Sequence, residues 1–371
     1  MRIALQVIAL VAVAGLLVYL FDNLRAQMQA RDIETGFEFL SQPVGFPIPY
    51  SDLAPSDTVL AGFRVAAKNT LLAAGVGIIL CAIVGLLVGV ARLSTNWLVR
   101  KAAALYVETL RNIPPVLIIL FANNAVLLQL PAIGDAVELG GLLVISNREL
   151  AVVAPQAGDR LFAWLVVLAV ALLAAAVVSR WRHRVHDRTG APTRVGLYAW
   201  LPFGVVVVGS HLALGGPVEL SHPEVEGLRV SGGAAMNLPY AAVTLALALY
   251  TSSHVAEIVR GSILAVHRGQ GEAATALGLS TYQRLRFVVL PQAYRIAIPP
   301  TINQFLNLTK NTSLGIFVAY TELTTFGFIA IGNGQPAPQT VAVVMAIYLV
   351  FSLVISMLLN LYNRRIRLVE R

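Results

Sequence analysis

The sequence predicts an all-α membrane protein with about eight transmembrane helices, and two observations support that fold class. First, 57% of the 371 residues are hydrophobic and only 12% are charged, whereas a soluble domain carries roughly 25% charged residues. Second, several apolar runs of about 18 to 22 residues are long enough, as helices, to cross a hydrocarbon core of about 30 Å. The single cysteine, Cys81, lies inside one of these runs, which excludes a disulfide framework and a thiolate metal cluster.

Eight apolar windows are candidate spans. They are Ile3–Phe21, Thr70–Ala91, Ile113–Leu130, Leu161–Ser179, Leu197–Leu214, Leu238–Val259, Val289–Lys310 and Val341–Tyr362. The seventh window is the most polar, because it contains Pro299, Pro300 and Asn303. A helix of that kind is tolerated in a membrane only where its polar side is buried in protein or lines a cavity.

The positive charges are distributed unevenly between the two sets of connecting segments that eight spans create. The set that includes both termini contains 16 Lys and Arg residues, and the opposite set contains 6. The positive-inside rule makes the richer side cytoplasmic, so both termini are expected in the cytoplasm. The first span is expected to remain uncleaved, because its apolar stretch of about 18 residues exceeds the 7 to 15 of a usual signal peptide.

The loop between the sixth and seventh spans has the pattern of two short helices joined by a tight turn. We expect Glu272 in the first turn of an Ala-rich helix, where a negative charge suits the helix dipole. Gly278 is expected to end that helix in a left-handed conformation. Ser280 then starts the second helix, and Gln283 three residues later completes a capping box.

Small side chains in the first of these helices leave a smooth surface on which a partner groove can close. Glu272, Ala273, Ala274 and Gly278 match the Glu-Ala-Ala loop of the transmembrane subunits of ABC importers, which this segment resembles. The resemblance implies that these four residues belong to a coupling helix, which inserts into a cleft of a separate ATPase subunit.

Further segments resemble the polar amino-acid permeases among these importers. They are Ala256-Glu-Ile-Val-Arg-Gly261, Leu290-Pro-Gln-Ala293, Ile298-Pro-Pro300, Leu308-Thr-Lys-Asn-Thr-Ser-Leu314 and Tyr106-Val-Glu-Thr-Leu-Arg-Asn-Ile-Pro-Pro115. The N-terminal span, the long middle insertion and the basic tail are most similar to one permease subunit of the general, binding-protein-dependent L-amino-acid importers.

This resemblance implies a type I importer permease core of five spans with three extra spans. The implied regions are 1–69, an N-terminal helix and periplasmic segment; 70–130, the first part of the core; 131–236, an insertion with two accessory transmembrane helices; and 237–371, the second part of the core, including the cytoplasmic coupling loop 264–287.

The function that the resemblance implies is ATP-driven movement of L-amino acids from periplasm to cytoplasm through a multi-pass protein of the bacterial inner membrane. The chain itself is expected to be non-catalytic and to bind no cofactor, metal or nucleic acid. Its implied partners are membrane lipid, a dimer of cytoplasmic ABC ATPases that holds ATP and Mg, a periplasmic amino-acid-binding protein, and a second permease subunit, either a sister chain or a second copy.

Polar side chains inside two predicted spans are candidate substrate-pathway residues, because such groups are costly in lipid. Asn303, Asn307 and Lys310 share one helix face at spacings of i, i+4 and i+7. The candidates on the sixth span are Tyr250, Thr251, Ser252 and His254. The alternative for both groups is structural: hydrogen bonds between or within helices, and a lysine that extends to the interface.

Two opposite-charge pairs at i, i+3 spacing are expected to be structural. They are Glu108 with Arg111 and Glu257 with Arg260, each near the predicted cytoplasmic end of its helix, where residues three apart are neighbours.

Two other function classes stay open at this stage. An ion-driven secondary amino-acid transporter would be expected to show repeat-related halves, and we find no such repeat in the sequence. A membrane-embedded enzyme would need converging acid, base and nucleophile, for which His254 with Glu257 is the intramembrane candidate. The sequence contains no Gly-x-x-x-x-Gly-Lys-Ser/Thr phosphate loop, so ATP hydrolysis through that motif is excluded for this chain.

Overall fold

The computed structural model describes residues 2–30, 36–49, 51 and 53–366, and this part of the chain is predominantly helical. Met1 and residues 367–371, which bear on the predicted position of the termini, lie outside the described residues. The α-helices are α1 (Arg2–Ala30), α2 (Val59–Ala91), α3 (Trp97–Asn112), α4 (Pro115–Phe121), α5 (Leu161–Thr189), α6 (Leu201–Ala213), α7 (Leu238–Leu264), α8 (Arg268–Ala276), α9 (Thr281–Arg284), α10 (Leu290–Asn311), α11 (Leu323–Gly332) and α12 (Ala337–Ile366).

Within the described residues, six helices are long and apolar enough to cross a membrane, or up to eight spans exist if each of two bent helix pairs counts as one. The bent pairs are Trp97–Asn112 with Pro115–Gln129, at 105°, and Thr281–Val318 with Leu323–Gly332, at 44°. These pairs contain the third and seventh predicted spans. The predicted fold class, a helical protein with several membrane spans, is confirmed.

The bend between α3 and α4 follows from two consecutive prolines. Pro114 lacks a backbone N–H and disfavours helical geometry in the residue before it. Ile113 accordingly has an extended backbone, with φ of −102° and ψ of 130°. Pro115 then occupies the first position of α4, where its missing N–H costs no hydrogen bond.

The chain divides into two compact units, one formed by Met1–Val126 with Pro239–Arg371 and the other by Leu127–Leu238. In the first unit, small residues follow one face of α2 at four-residue intervals: Gly77, Cys81, Gly85 and Gly89, all buried. A Cβ atom added to Gly85 would lie 2.7 Å from the Val255 side chain of α7. The small residues therefore let the backbones of α2 and α7 approach closely.

In the same unit, aromatic rings join α2 to α11. The Phe63 and Phe326 rings meet edge to face, with centroids 4.8 Å apart. A Cβ atom on Gly62 would lie 2.3 Å from the Phe326 ring. The first turns of α2 therefore pack closely against α11, which lies more than 200 residues later in the sequence.

The second unit contains short strands that the sequence did not predict. They are β1 (Val137–Leu139), β2 (Leu143–Ile145), β3 (Glu149–Val152), β4 (Ala154–Ala157), β5 (Val218–Ser221), β6 (Glu224–Glu226), β7 (Arg229–Ser231) and β8 (Ala234–Asn237). The antiparallel sheet has the order β1-β2-β3-β8, with Val144 opposite Ala151, and β4–β5 and β6–β7 form separate antiparallel pairs. The prediction for this region named only the two accessory helices, because strands of three or four residues are too short for alternating hydrophobicity to identify them.

The two predicted accessory spans belong to this second unit and pack against each other. The Trp164 Nε1 of α5 donates a hydrogen bond of 3.1 Å to the Ser210 Oγ of α6. Beyond the apolar part of α5, the Arg182 guanidinium lies 4.5 Å from the centre of the Tyr198 ring, a cation–π contact. The two helices therefore form a hairpin that is tied together near both ends.

Candidate functional site

The predicted coupling helix is α8, and it starts earlier than the sequence pattern indicated. His267 is its N-cap, since Nδ1 accepts a hydrogen bond of 3.1 Å from the backbone N–H of Gly269. The helix consequently begins at Arg268, and Glu272 lies in the second turn. The expectation that Glu272 occupies the first turn was wrong, because a histidine ring can replace the usual Ser, Thr, Asp or Asn cap.

The turn after α8 has the predicted left-handed geometry. Gly278 has φ of +76°. Its N–H donates to the Thr275 carbonyl at 2.9 Å, and the Leu279 N–H donates to the Ala274 carbonyl at 3.1 Å. Together these bonds form a Schellman motif, which satisfies carbonyls at the end of the helix.

The second short helix, α9, begins with the predicted capping box. The Ser280 N–H donates to the Gln283 Oε1 at 2.9 Å, and the Gln283 N–H donates to the Ser280 Oγ at 3.3 Å. The Arg284 Nη1 also donates to the Thr275 Oγ1, at 3.3 Å. Since both helix ends are hydrogen-bonded and a side chain joins them, α8 and α9 hold a defined mutual orientation.

The coupling helix α8 exposes one acidic side chain and ends at an exposed apolar residue. Ala274 is buried, whereas Glu272 and Ala273 are exposed. Leu277, at the end of the helix, is 81% exposed. Glu272 forms no ion pair within the part of the chain that the structure describes. The end of this helix is therefore apolar, and the Glu272 carboxylate is exposed and available for binding.

The predicted polar face of α10 is present and exposed. Asn303, Asn307 and Lys310 are all exposed, whereas Ile302 and Leu308 are buried. Among the described residues, none of the three polar side chains has a hydrogen-bond or ion-pair partner. In a transmembrane segment such groups are costly unless they meet water or another protein surface, so this face of α10 is a candidate for contact with either.

Lys310 also lines a cleft with residues of α11 and α12. The cleft has a volume of about 610 Å³, which is within the usual range for small-molecule sites. Ser313, Thr324 and Tyr348 contribute to its lining. The remainder of the wall is apolar and consists of Val344, Met345, Ala346 and Leu349.

The four polar residues predicted on the sixth span lie on α7 in two different environments. Thr251 and Ser252 are buried. The Ser252 Oγ lies 2.7 Å from the Tyr106 Oη of α3, so this hydroxyl joins two helices. Tyr250 and His254 are half-buried and their rings pack edge to face, with centroids 4.9 Å apart. The Ser252 contact is a hydrogen bond between helices, as the structural alternative for these residues requires. Tyr250 and His254 form a separate aromatic pair.

Of the two predicted ion pairs, the structure brings one together. The Arg260 Nη2 donates to the Glu257 Oε1 at 2.5 Å. Glu108 and Arg111 form no ion pair within the described part of the chain.

Two features were not predicted from the sequence: a second arginine that forms an ion pair with Glu257, and the buried carboxylate of Glu322. The Arg92 Nη1 at the end of α2 donates to the Glu257 Oε2. Glu322 is fully buried, caps α11 by accepting from the Thr325 N–H at 2.8 Å, and also accepts from the Tyr348 Oη at 2.5 Å. An acidic residue immediately before an apolar helix is a signal for such a cap, but its partner on α12 has no local signal.

The sequence has relatives whose names indicate transport. Residues 196–368 match the family described as binding-protein-dependent transport system inner membrane component. The chain is 39% identical to the putative amino-acid ABC transporter permease protein YhdX of Escherichia coli strain K12, over 99% of this chain and 94% of that protein. It is 36% identical to the general L-amino acid transport system permease protein AapQ of Rhizobium johnstonii, over 99% and 92%. It is also 35% identical to the glutamate/glutamine/aspartate/asparagine transport system permease protein BztB of Rhodobacter capsulatus, over 100% and 94%.

Proposed function

Because this chain belongs to the ABC transporter permeases of the binding-protein-dependent family, we propose that it is the pore-forming subunit of an ATP-driven importer of L-amino acids. The observation that carries the proposal is the structured α8–α9 segment, which presents Glu272 and the 81% exposed Leu277 to a partner. The substrate class is supported by the three relatives above, all named for amino-acid transport.

Coupling to ATP hydrolysis is assigned to the α8 segment. A groove on a cytoplasmic ABC ATPase takes up the apolar tip, and the Glu272 carboxylate accepts a charge-assisted hydrogen bond, which is stronger than a neutral one. Ala273 and Ala274 keep the helix slender, while Gly278 allows the chain to reverse direction directly behind it. ATP and Mg are held by the ATPase, and this chain contributes no catalytic group.

The substrate pathway is assigned to the exposed polar face of α10 and the cleft beside it. The Lys310 ammonium attracts the carboxylate of an amino acid, and the amides of Asn303 and Asn307 offer donors and acceptors to its polar groups. The apolar wall of the cleft accommodates side chains of different shapes. Tyr250 and His254 are proposed to contribute from α7.

The exposed polar face also requires a second permease subunit. A helix with three polar side chains directed outwards is unfavourable in lipid, and a sister chain or a second copy placed against α10 encloses these groups in a water-filled path. A periplasmic amino-acid-binding protein delivers the substrate on one side, and the ATPase dimer binds α8 on the other. In this arrangement the protein lies in the bacterial inner membrane with both termini in the cytoplasm.

The proposal is tested by purifying the native complex and reconstituting it in liposomes. We expect the chain to co-purify with an ATPase, and uptake of L-amino acids to require both ATP and the binding protein. Omission of either component provides the control. Uptake by the chain alone, driven by an ion gradient without ATP, would contradict the proposal and establish the secondary-transporter alternative.

A further inference from the structure

Arginines from two helices donate hydrogen bonds to the Glu257 carboxylate. Arg260, one turn later on α7, donates through Nη2 to Oε1 at 2.5 Å and through Nε to Oε2 at 3.2 Å. Arg92, the C-cap of α2, donates through Nη1 to Oε2. Both carboxylate oxygens are therefore engaged, and the Arg92 bond crosses from one helix to another.

The partial burial of this cluster makes the attraction between its charges stronger than that between the charges of a surface ion pair. The side chains of Arg92, Glu257 and Arg260 are 15%, 27% and 31% exposed, so solvent screens them less than it screens a fully exposed pair. One negative charge thus compensates two positive charges, one from α2 and one from α7.

The backbones of α2 and α7 are in close contact beside the cluster. A Cβ atom added to Gly89 would lie 2.8 Å from the Ala256 carbonyl oxygen and 2.8 Å from the Val259 Cβ. The same α7 ends at Leu264, and α8 starts at Arg268 after a short connection. The ion cluster is consequently positioned where a helix that leads into the coupling segment is joined to α2.

We propose that Glu257 is a positioning residue that transmits movement of α8 to α2. A displacement of α8 moves the end of α7, and the ion pair between Glu257 and Arg92 makes the end of α2 follow. The glycine contact keeps the helices together, while the Glu257 carboxylate offsets the mutual repulsion of Arg92 and Arg260, which would otherwise separate them. This inference rests on the proposed coupling function and assigns to it a residue outside the coupling helix.

The test uses the reconstituted complex with its ATPase and binding protein, and compares Glu257→Gln with Glu108→Gln. The control makes the same chemical change at an exposed acid of α3 that has no ion pair in the described part of the chain. We expect Glu257→Gln to lower uptake per ATP hydrolysed by about tenfold or more, because loss of one partner leaves uncompensated charges. Basal ATPase activity and membrane insertion are expected to stay unchanged, as is uptake by Glu108→Gln.

Charge compensation distinguishes transmission through this pair from a merely local packing role. The double variant Arg92→Gln/Glu257→Gln removes one of the uncompensated positive charges, so we expect it to recover part of the uptake per ATP that Glu257→Gln loses. Such non-additivity is the signature of two residues that act on each other. Arg92→Gln alone, which leaves Glu257 paired with Arg260, carries the same test if Glu257→Gln fails to accumulate.

Normal uptake per ATP in both Glu257→Gln and Arg92→Gln would overturn the inference, as would a double variant whose loss equals the product of the single losses. These outcomes differ from failure of the proposed function. In that case the unmodified complex itself would show no ATP-dependent uptake.

Discussion

The Tyr348 hydroxyl donates a hydrogen bond of 2.5 Å to the carboxylate of Glu322, a fully buried acid. The bond joins the N-cap of α11 to the middle of α12. It lies beside the cleft that Lys310 lines, because Tyr348 belongs both to the cleft wall and to this bond. The shape of the candidate pathway therefore depends on a polar contact in the protein interior.

Tyr348→Phe is expected to destabilise the protein by about 1–3 kcal/mol, since a buried acceptor loses its donor. Thermal unfolding of the purified protein measures the effect. Tyr282→Phe is the matched control, because Tyr282 is exposed and surface changes of this kind stay within about 0.5 kcal/mol. Equal unfolding temperatures for the two variants would show that the Glu322–Tyr348 bond contributes nothing to stability.

Gly278→Val should abolish transport while leaving the protein in the membrane. Gly278 has φ of +76°, and a β-branched residue is strained in that conformation. The turn after α8 then reorients the coupling helix relative to α9. The measurements are uptake and binding-protein-stimulated ATPase activity of the reconstituted complex.

Gly261→Ala is the matched control for that experiment. Gly261 lies in α7, and a Cβ atom added there would meet no neighbouring atom within 4 Å, so we expect full transport activity. If Gly278→Val transports normally and its ATPase is stimulated as usual, the assignment of Gly278 to coupling is wrong.

Asn307→Leu is expected to lower uptake or change substrate preference without uncoupling the ATPase. The reason is that Asn307 lies in the middle of the exposed polar face of α10, where leucine removes both a donor and an acceptor. Competition between labelled amino acids measures the preference. Asn360→Leu, an exposed position on α12, is the control, and unchanged kinetics for every transported amino acid in Asn307→Leu would favour the packing interpretation.

Gly89→Leu should destabilise the protein by about 1–3 kcal/mol through overpacking. A Cβ at this position would lie 2.8 Å from the Ala256 carbonyl oxygen, and a backbone atom cannot move aside as a flexible side chain can. Gly75→Leu on the same helix is the control, because Gly75 has open space around it. Thermal unfolding that is equal for the two variants would contradict a close contact between α2 and α7.

The sequence predicted the features that depend on local patterns. Apolar runs identified the long helices, and the residues from Gly278 to Gln283 specified their own turn and cap. The pairing of Arg92 with Glu257 could not be predicted from the sequence, because 165 residues separate them. No pattern in the residues around either one points to the other. The early start of α8 depends on the ring nitrogen of His267, a cap outside the usual residue types.

The accessory helix α5 is expected to lie outside the substrate pathway. Its apolar part, Leu161–Ser179, contains no acid or amide, as expected of a helix that faces lipid or another helix, whereas α10 exposes two amides and an ammonium group. Single cysteines placed along Val166–Ala174, in a chain with Cys81 replaced by serine, should react with thiol reagents equally with and without substrate. Cysteines at Asn303 and Asn307 are the positive controls, because substrate in the pathway should protect them. Protection at several positions on one face of α5 would place that helix in the pathway and contradict the five-span core.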